Sequence, residues 1–113
     1  MKLYGIRNCD TVKKARKWLD EQDISYEFHD FKKDGIDEAR LTQWEKAVSW
    51  EALLNRRGTT WRNLGDDVRD SINGQSAHDI MLKNTSIIKR PVAEHEGSVY
   101  VGFNADDWAT LFK

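Results

Sequence analysis

Cys9 is the one residue of this chain whose type and placement together suggest covalent chemistry. It lies in Lys2-Leu3-Tyr4-Gly5-Ile6-Arg7-Asn8-Cys9-Asp10-Thr11, where a short apolar strand runs into an amphipathic helix. The first turn of a helix carries unpaired N–H groups and the positive end of the dipole, which lower a cysteine pKa from about 8.5 to roughly 3.5–7.5. A thiolate at neutral pH is a nucleophile. Asn8 and Thr11 flank the sulfur and offer hydrogen bonds to it or to an attacking anion, and Arg7 offers positive charge or simply faces solvent. Arg56 and Arg57 are adjacent in the loop Asn55-Arg56-Arg57-Gly58-Thr59-Thr60, and paired guanidinium forks suit a small tetrahedral or carboxylate anion. Pro91, the only proline, follows Arg90 at the head of an extended segment.

Other chemistries find little support. His29, His78 and His95 fall in different elements with no shared register, so no metal site is expected. The five tryptophans, at 18, 44, 50, 61 and 108, read as packing residues, and no basic–aromatic interleaving points to nucleic acid. A net charge of −1 with acids and bases interspersed argues the same way. No apolar run reaches the roughly 18–20 residues a bilayer requires, and the N-terminus enters strand pattern directly, so a cytoplasmic protein with no membrane partner is expected. A single cysteine excludes an internal disulfide and a two-cysteine redox cycle within one chain.

The elements that must position these residues follow from periodicity. Leu3, Tyr4 and Ile6 form a strand. Val12, Ala15, Trp18 and Leu19 make one face of a helix of about ten to thirteen residues, with Asn8 or Asp10 as its N-cap. Ile24, Tyr26, Phe28 and Asp30 share a parity, giving a second strand and a parallel, right-handed β-α-β unit. Lys32-Lys33-Asp34-Gly35 reads as a turn, and Asp37 caps a helix bearing Ala39, Leu41, Trp44 and Val48. Helical stretches continue through Ser49–Leu54 and, after the arginine loop, through Val68–Leu82 with a break at Asn73-Gly74. Ser86 to Ala93 reads as extended, Glu94-His95-Glu96-Gly97 as a hairpin turn and Val99–Gly102 as the returning strand. Asn104 caps a last helix with Trp108, Leu111 and Phe112 on its face.

The 113 residues thus predict one α/β domain, 1–113, of thioredoxin-like fold. A four-stranded mixed sheet is flanked by helices, with an expanded helical segment between a β-α-β and a β-β-α half. In such a layout Pro91 takes the position where a cis proline presses backbone against the reactive cysteine, carrying Arg90 to the same place.

The chain resembles the arsenate reductase-like family, which shares this fold with Spx-type regulators. The resemblance rests on Leu3-Tyr4 before Cys9, Lys14-Ala15-Arg16 and Trp18-Leu19 after it, Ala52-Leu53-Leu54-Asn55-Arg56-Arg57, the stretch from Met81 to Ile88-Lys89-Arg90-Pro91, and Val101-Gly102-Phe103. It is nearest to the short YffB-like subgroup, proposed to be glutathione-dependent thiol reductases. The family implies a thiolate that attacks an oxyanion or mixed disulfide while arginines hold the anionic group. By position Cys9 matches the nucleophile and Arg90 the arginine before the proline. Arg56 or Arg57 falls in the loop that supplies another anion-binding arginine, although Asn55 aligns closest to it.

Two departures narrow this picture. The glutaredoxin-coupled arsenate reductases use a third arginine near Val101-Gly102, where this chain has none. Losing one anion fork costs on the order of a few kcal/mol of transition-state stabilisation, making arsenate a poor substrate. Many Spx-type regulators carry a Cys-x-x-Cys switch, whereas here the sequence is Cys9-Asp10-Thr11-Val12. A lone cysteine must be resolved by an external thiol. The resemblance therefore implies an enzyme without a bound cofactor that takes glutathione as co-substrate, its carboxylates suiting Arg56, Arg57 or Arg90 and its γ-glutamyl backbone pairing alongside Pro91. Glutaredoxin is a further candidate partner. The alternatives are a non-catalytic Spx-like module that binds RNA polymerase through a helical surface such as Glu38–Leu54, and an arsenate reductase coupled to glutathione and glutaredoxin.

Overall fold

The computed structural model describes residues 1–112. In chain order the elements are β1 (Lys2–Gly5), α1 (Asp10–Glu21), β2 (Glu27–Asp30), α2 (Phe31–Asp34), α3 (Glu38–Val48) and α4 (Trp50–Leu53). They continue with α5 (Thr59–Arg62), α6 (Asp66–Asp70), α7 (Gly74–Lys83), a 3₁₀ turn (Thr85–Ile87), β3 (Val92–His95), β4 (Ser98–Val101) and α8 (Ala105–Phe112). The chain divides into two compact units. One holds Met1–Asp30 together with the stretch from Arg90 onward, and the other is Phe31–Lys89.

The first unit contains the whole sheet, ordered β2-β1-β3-β4. β1 pairs parallel with β2, and β1–β3 and β3–β4 are antiparallel, which gives the mixed four-stranded sheet expected. Leu3 and Tyr4, successive residues that face opposite sides, are both buried, as a central strand covered on both faces requires. The α1 stripe Val12, Ala15 and Leu19 recurs at i, i+3 and i+7 and is fully buried. Ala15 and Leu19 pack with Leu3, Ala93 and Trp108 into one apolar cluster. Asn104 caps α8 as its sequence position implied, its side-chain oxygen accepting the Asp107 N–H at 3.1 Å. Trp108 then meets the rings of Trp18, Phe103 and Phe112 edge-on at centroid distances of 6.0, 4.9 and 5.2 Å.

The hairpin is tighter than its sequence suggests. β3 runs through Glu94 and His95, leaving only Glu96 and Gly97 in the turn, both with positive φ (51° and 80°). Two such residues form the turn type whose twist matches that of the flanking strands.

In the second unit, Leu41 and Trp44 of α3, Leu53 and Leu54, Ala77 and Met81 of α7, and Ile87 and Ile88 supply buried apolar residues. Phe31 meets Trp44 edge-on at 6.1 Å. Asn73-Gly74 separates helices as expected, and Asn73 with Ser76 forms a capping box at the start of α7.

Three expectations are corrected here. The extended reading of Ser86–Ala93 fails at Ser86 and Ile87, while Ile88 is extended. Thr85–Ile87 is a 3₁₀ turn, and the stretch after it pairs with the end of α4, through Asn55 N–H to Ile87 O (2.8 Å), Lys89 N–H to Leu53 O (2.7 Å) and a bridge between Leu54 and Ile88. Ile87 and Ile88 look like strand residues because they are β-branched and buried, yet their burial lies in the helical unit. The Lys32–Gly35 turn is instead the end of α2, closed by Gly35 at φ 64°. The polar loop after Asn55 ends early, because Thr59–Arg62 forms a helical turn.

His78 of α7 joins two carboxylates of α3. Its Nδ1 lies 2.7 Å from Glu45 Oε1 and its Nε2 3.3 Å from Glu38 Oε1, with only 12% of the side chain exposed. Both ring nitrogens can donate only in the imidazolium form. The Glu45 hydrogen bond chiefly, against an opposing effect of burial and with help from Glu38, raises the pKa above the ordinary 6.5. A raised native value means that the stabilisation is fully present below the ordinary pKa and fades as pH climbs through the raised one. The Tm difference between wild type and His78→Gln should therefore be larger at about pH 6 than at about pH 9, by a few degrees for a domain of this size. Thermal melts at both pH values check this, and a difference independent of pH would contradict it.

Candidate active site

The turn that carries the thiol is built by β1 and α1. β1 ends at Gly5, and the Cys9 N–H donates to Ile6 O at 3.1 Å, closing a tight turn over Ile6–Cys9. Cys9 O then accepts the Lys13 N–H at 2.9 Å, the first bond of the helix. Cys9, and not Asn8 or Asp10, is thus the N-cap residue, with extended backbone at φ −78° and ψ 126°. No side-chain capping hydrogen bond forms from the thiol. The helix therefore begins on a sulfur, next to amides that an Asp or Ser oxygen would ordinarily engage.

These surroundings favour the thiolate. Cys9 is half-buried, and that burial alone would raise its pKa. The Val12 amide outweighs it together with the Arg90 guanidinium, which lies within hydrogen-bonding reach and adds its charge, and with the Thr11 amide, so the net pKa is lowered. Arg90 arrives here through the sheet. Tyr4 of β1 pairs with Val92 of β3, so the residues preceding Val92 run alongside the segment that leaves β1. The Arg90–Pro91 peptide is cis, Pro91 is buried, and its carbonyl accepts the Gly102 N–H at 2.8 Å.

The remaining candidates divide. Thr11 contributes through its backbone, and its side chain is exposed. Asn8 is exposed in the turn. Arg7 turns to the edge strand instead, with Nε 3.5 Å from Asp30 Oδ2 and its guanidinium 5.5 Å from the Phe28 ring centre. Arg56 and Arg57 belong to the second unit. There Arg56 lies over the rings of Trp50 (5.8 Å) and Trp61 (5.6 Å), while the Arg57 amide donates to Asn55 Oδ1 and its carbonyl accepts from Arg62. The histidines take separate partners: His29 against Tyr4, His78 on α3, and His95 against Phe112. Among the described residues no group of three potential ligands is arranged for a metal ion. No described helix is long and apolar enough to cross a membrane.

Position at a helix start places unpaired N–H groups beside Cys9 without singling out the Val12 amide among them. Backbone donors leave no mark in residue type. The available signal was position, since the third residue after an N-cap presents its N–H to the cap side chain.

A β2-β1-β3-β4 sheet in which the first helix opens on a cysteine, across from an arginine and a cis proline, makes this a thioredoxin-like thiol protein. Its family is narrower than its fold. The ArsC family matches residues 4–111, and the chain belongs to that arsenate reductase-like, thiol reductase-like family. An uncharacterized protein of Haemophilus influenzae is 43% identical over 110 residues, covering 97% of this chain and 96% of that one. The solved structure of a YffB protein superposes with a TM-score of 0.92 at 46% identity, covering 96% of each chain. An arsenate reductase-related protein of Brucella melitensis is 49% identical with a TM-score of 0.81, over 99% of this chain and 93% of that one. The global transcriptional regulator Spx of Listeria innocua is 28% identical over 107 residues, 93% of this chain and 81% of its own.

The assignment of Arg90 to the thiol can be tested directly. Arg90→Gln removes a hydrogen bond and a charge from Cys9 and should slow its alkylation at about pH 6.5 by roughly threefold to tenfold, through a raised thiol pKa. Arg16→Gln should leave the rate unchanged, because Arg16 is engaged by the Tyr26 hydroxyl (3.0 Å) and the Phe28 ring (4.3 Å). Equal effects of the two substitutions would remove Arg90 from the site.

Proposed function

We propose that this protein is a glutathione-dependent thiol reductase or transferase that works through one cysteine. The observation carrying the reading is Cys9 at the N-cap of α1 with Arg90 beside it and its pKa lowered. The Cys9 thiolate attacks the glutathione sulfur of a mixed disulfide. That sulfur–sulfur bond breaks, the substrate leaves as a thiolate that takes up a proton, and Cys9 becomes glutathionylated. A second glutathione, as thiolate, then attacks the glutathione sulfur on Cys9, releasing oxidised glutathione and restoring the Cys9 thiolate. Over the cycle the sulfur of the incoming glutathione is oxidised from thiol to disulfide and the substrate sulfur is reduced from disulfide to thiol, the first glutathione sulfur staying at the disulfide level throughout, so no second protein cysteine is needed.

Arg90 and the Val12 and Thr11 amides hold the thiolate and a carboxylate of the incoming tripeptide, and Pro91 offers backbone alongside it. Likeness to the arsenate reductase-related Brucella protein supports thiol chemistry at the family level.

A second reading rests on the likeness to Spx: an interaction module that binds RNA polymerase, with Cys9 as a sensor or without a role. Retention of RNA polymerase from lysate by both the wild type and Cys9→Ser would favour it.

Two measurements test the leading reading. Mass spectrometry after exposure to oxidised glutathione should find one glutathione on Cys9 and none on Cys9→Ser; an unmodified wild type sinks the proposal. In a coupled assay with glutathione and glutaredoxin, arsenate should not turn over, because the chain passes through Val101-Gly102-Phe103, with Gly102 at φ 86°, where those reductases place their third arginine. Rapid arsenate turnover would replace the proposed substrate class with the oxyanion.

A further inference from the structure

A Cβ placed on Gly5 would stand 2.7 Å from Val12 Cγ2 and 3.2 Å from Cγ1. Both residues are buried. Real Cβ atoms essentially never approach another carbon this closely, so a side chain at position 5 forces a displacement. Valine is the wrong residue to absorb it, because its branched Cβ allows one strongly preferred rotamer in a helix, and a methyl swung away from Gly5 meets the preceding turn instead. The movement must come from the backbone of the first turn of α1.

That turn is also where Cys9 is held. The Cys9 N–H is fixed on Ile6 O, one residue beyond Gly5, and Cys9 O receives Lys13, one residue beyond Val12. Only Ile6–Cys9 separates the strand from the helix, so the sulfur and the Val12 amide are referenced to the end of β1 by a short covalent path and one contact. Further along, Leu3 shares the strand face of Gly5 and packs with Ala15 and Leu19, the next positions of the α1 stripe. A full-sized side chain fits at Leu3, where strand and helix are further apart. At Gly5 they converge.

We propose that Gly5 is a positioning residue of the thiol site: its missing side chain seats Val12 against the end of β1, and that seat holds the Val12 amide at the Cys9 sulfur. The role is distinct from the usual use of glycine, since no positive φ is needed at this position. The Val12 amide makes the largest single hydrogen-bond contribution favouring the Cys9 thiolate, which is why a fraction of an ångström here matters. The inference rests on the proposed role of Cys9 as a thiolate nucleophile.

The test is a double-mutant cycle read as the pH profile of Cys9 alkylation, with circular dichroism confirming the fold of each variant. Gly5→Ala should overfill the seat and Val12→Ala should empty it, each slowing alkylation at about pH 6 by roughly threefold or more. In Gly5→Ala/Val12→Ala the added methyl occupies the space vacated by the valine methyls, and the profile should return toward wild type. A purely structural role would lower stability in all three variants and leave the profiles superimposed, which overturns the inference. If Gly5→Ala does not fold, Val12→Ala and the double variant decide it: recovery in the double supports the seat, and no recovery overturns it. An ordinary wild-type profile, near 8.5, instead rejects the nucleophile reading itself.

Discussion

The structure around the thiol depends on a helix that begins at a sulfur. An Asp, Ser or Asn cap stabilises a helix by about 1 kcal/mol through its oxygen, and a neutral thiol is a poor substitute. The helix recovers that interaction only when the cysteine ionises, so the stability of α1 and the charge on Cys9 are one equilibrium seen from two sides. With the native pKa lowered, the stabilisation is present above the ordinary thiol pKa and lost as pH falls through the lowered native value. Capping by Cys9 makes α1 a slightly worse helix and the thiol a better anion.

The sheet makes this arrangement durable. β1 is flanked on one side by parallel β2 and on the other by antiparallel β3. The last residue of the parallel neighbour and the residues just before the antiparallel one therefore lie at the same end of the sheet as the thiol turn. Asp30 closes β2, and Arg90 stands two residues before β3. Asp30 pairs with Arg7 and Arg90 acts on Cys9, so opposite charges border the turn.

Much of this was legible in the residues, and the exceptions share a cause. The α1 stripe and the Asn104 cap follow from local spacing, which depends on one element at a time. Ile87 reads as a strand residue and lies in a 3₁₀ turn, because apolar β-branched residues report burial without reporting against what. The seat of Arg56 over two tryptophan rings of its own unit carries no mark in the sequence, because periodic pattern does not report ring contacts across a loop. Arg7, next to the thiol in sequence, engages Asp30, while Arg90, 81 positions away, acts on it. Sheet register decides between these arginines, and periodicity contains no register.

The helical segment Phe31–Lys89 enters the chain after β2 and leaves it before β3. Its last residue, Lys89, is fastened through its amide to the Leu53 carbonyl of that segment, and the next residue is Arg90. One peptide bond thus joins an anchor of the helical unit to the guanidinium that steadies the thiolate. The chain therefore passes within a single residue from a backbone fastening of the helical segment to the arginine of the thiol site, so the helical insertion adds no free linker ahead of Arg90.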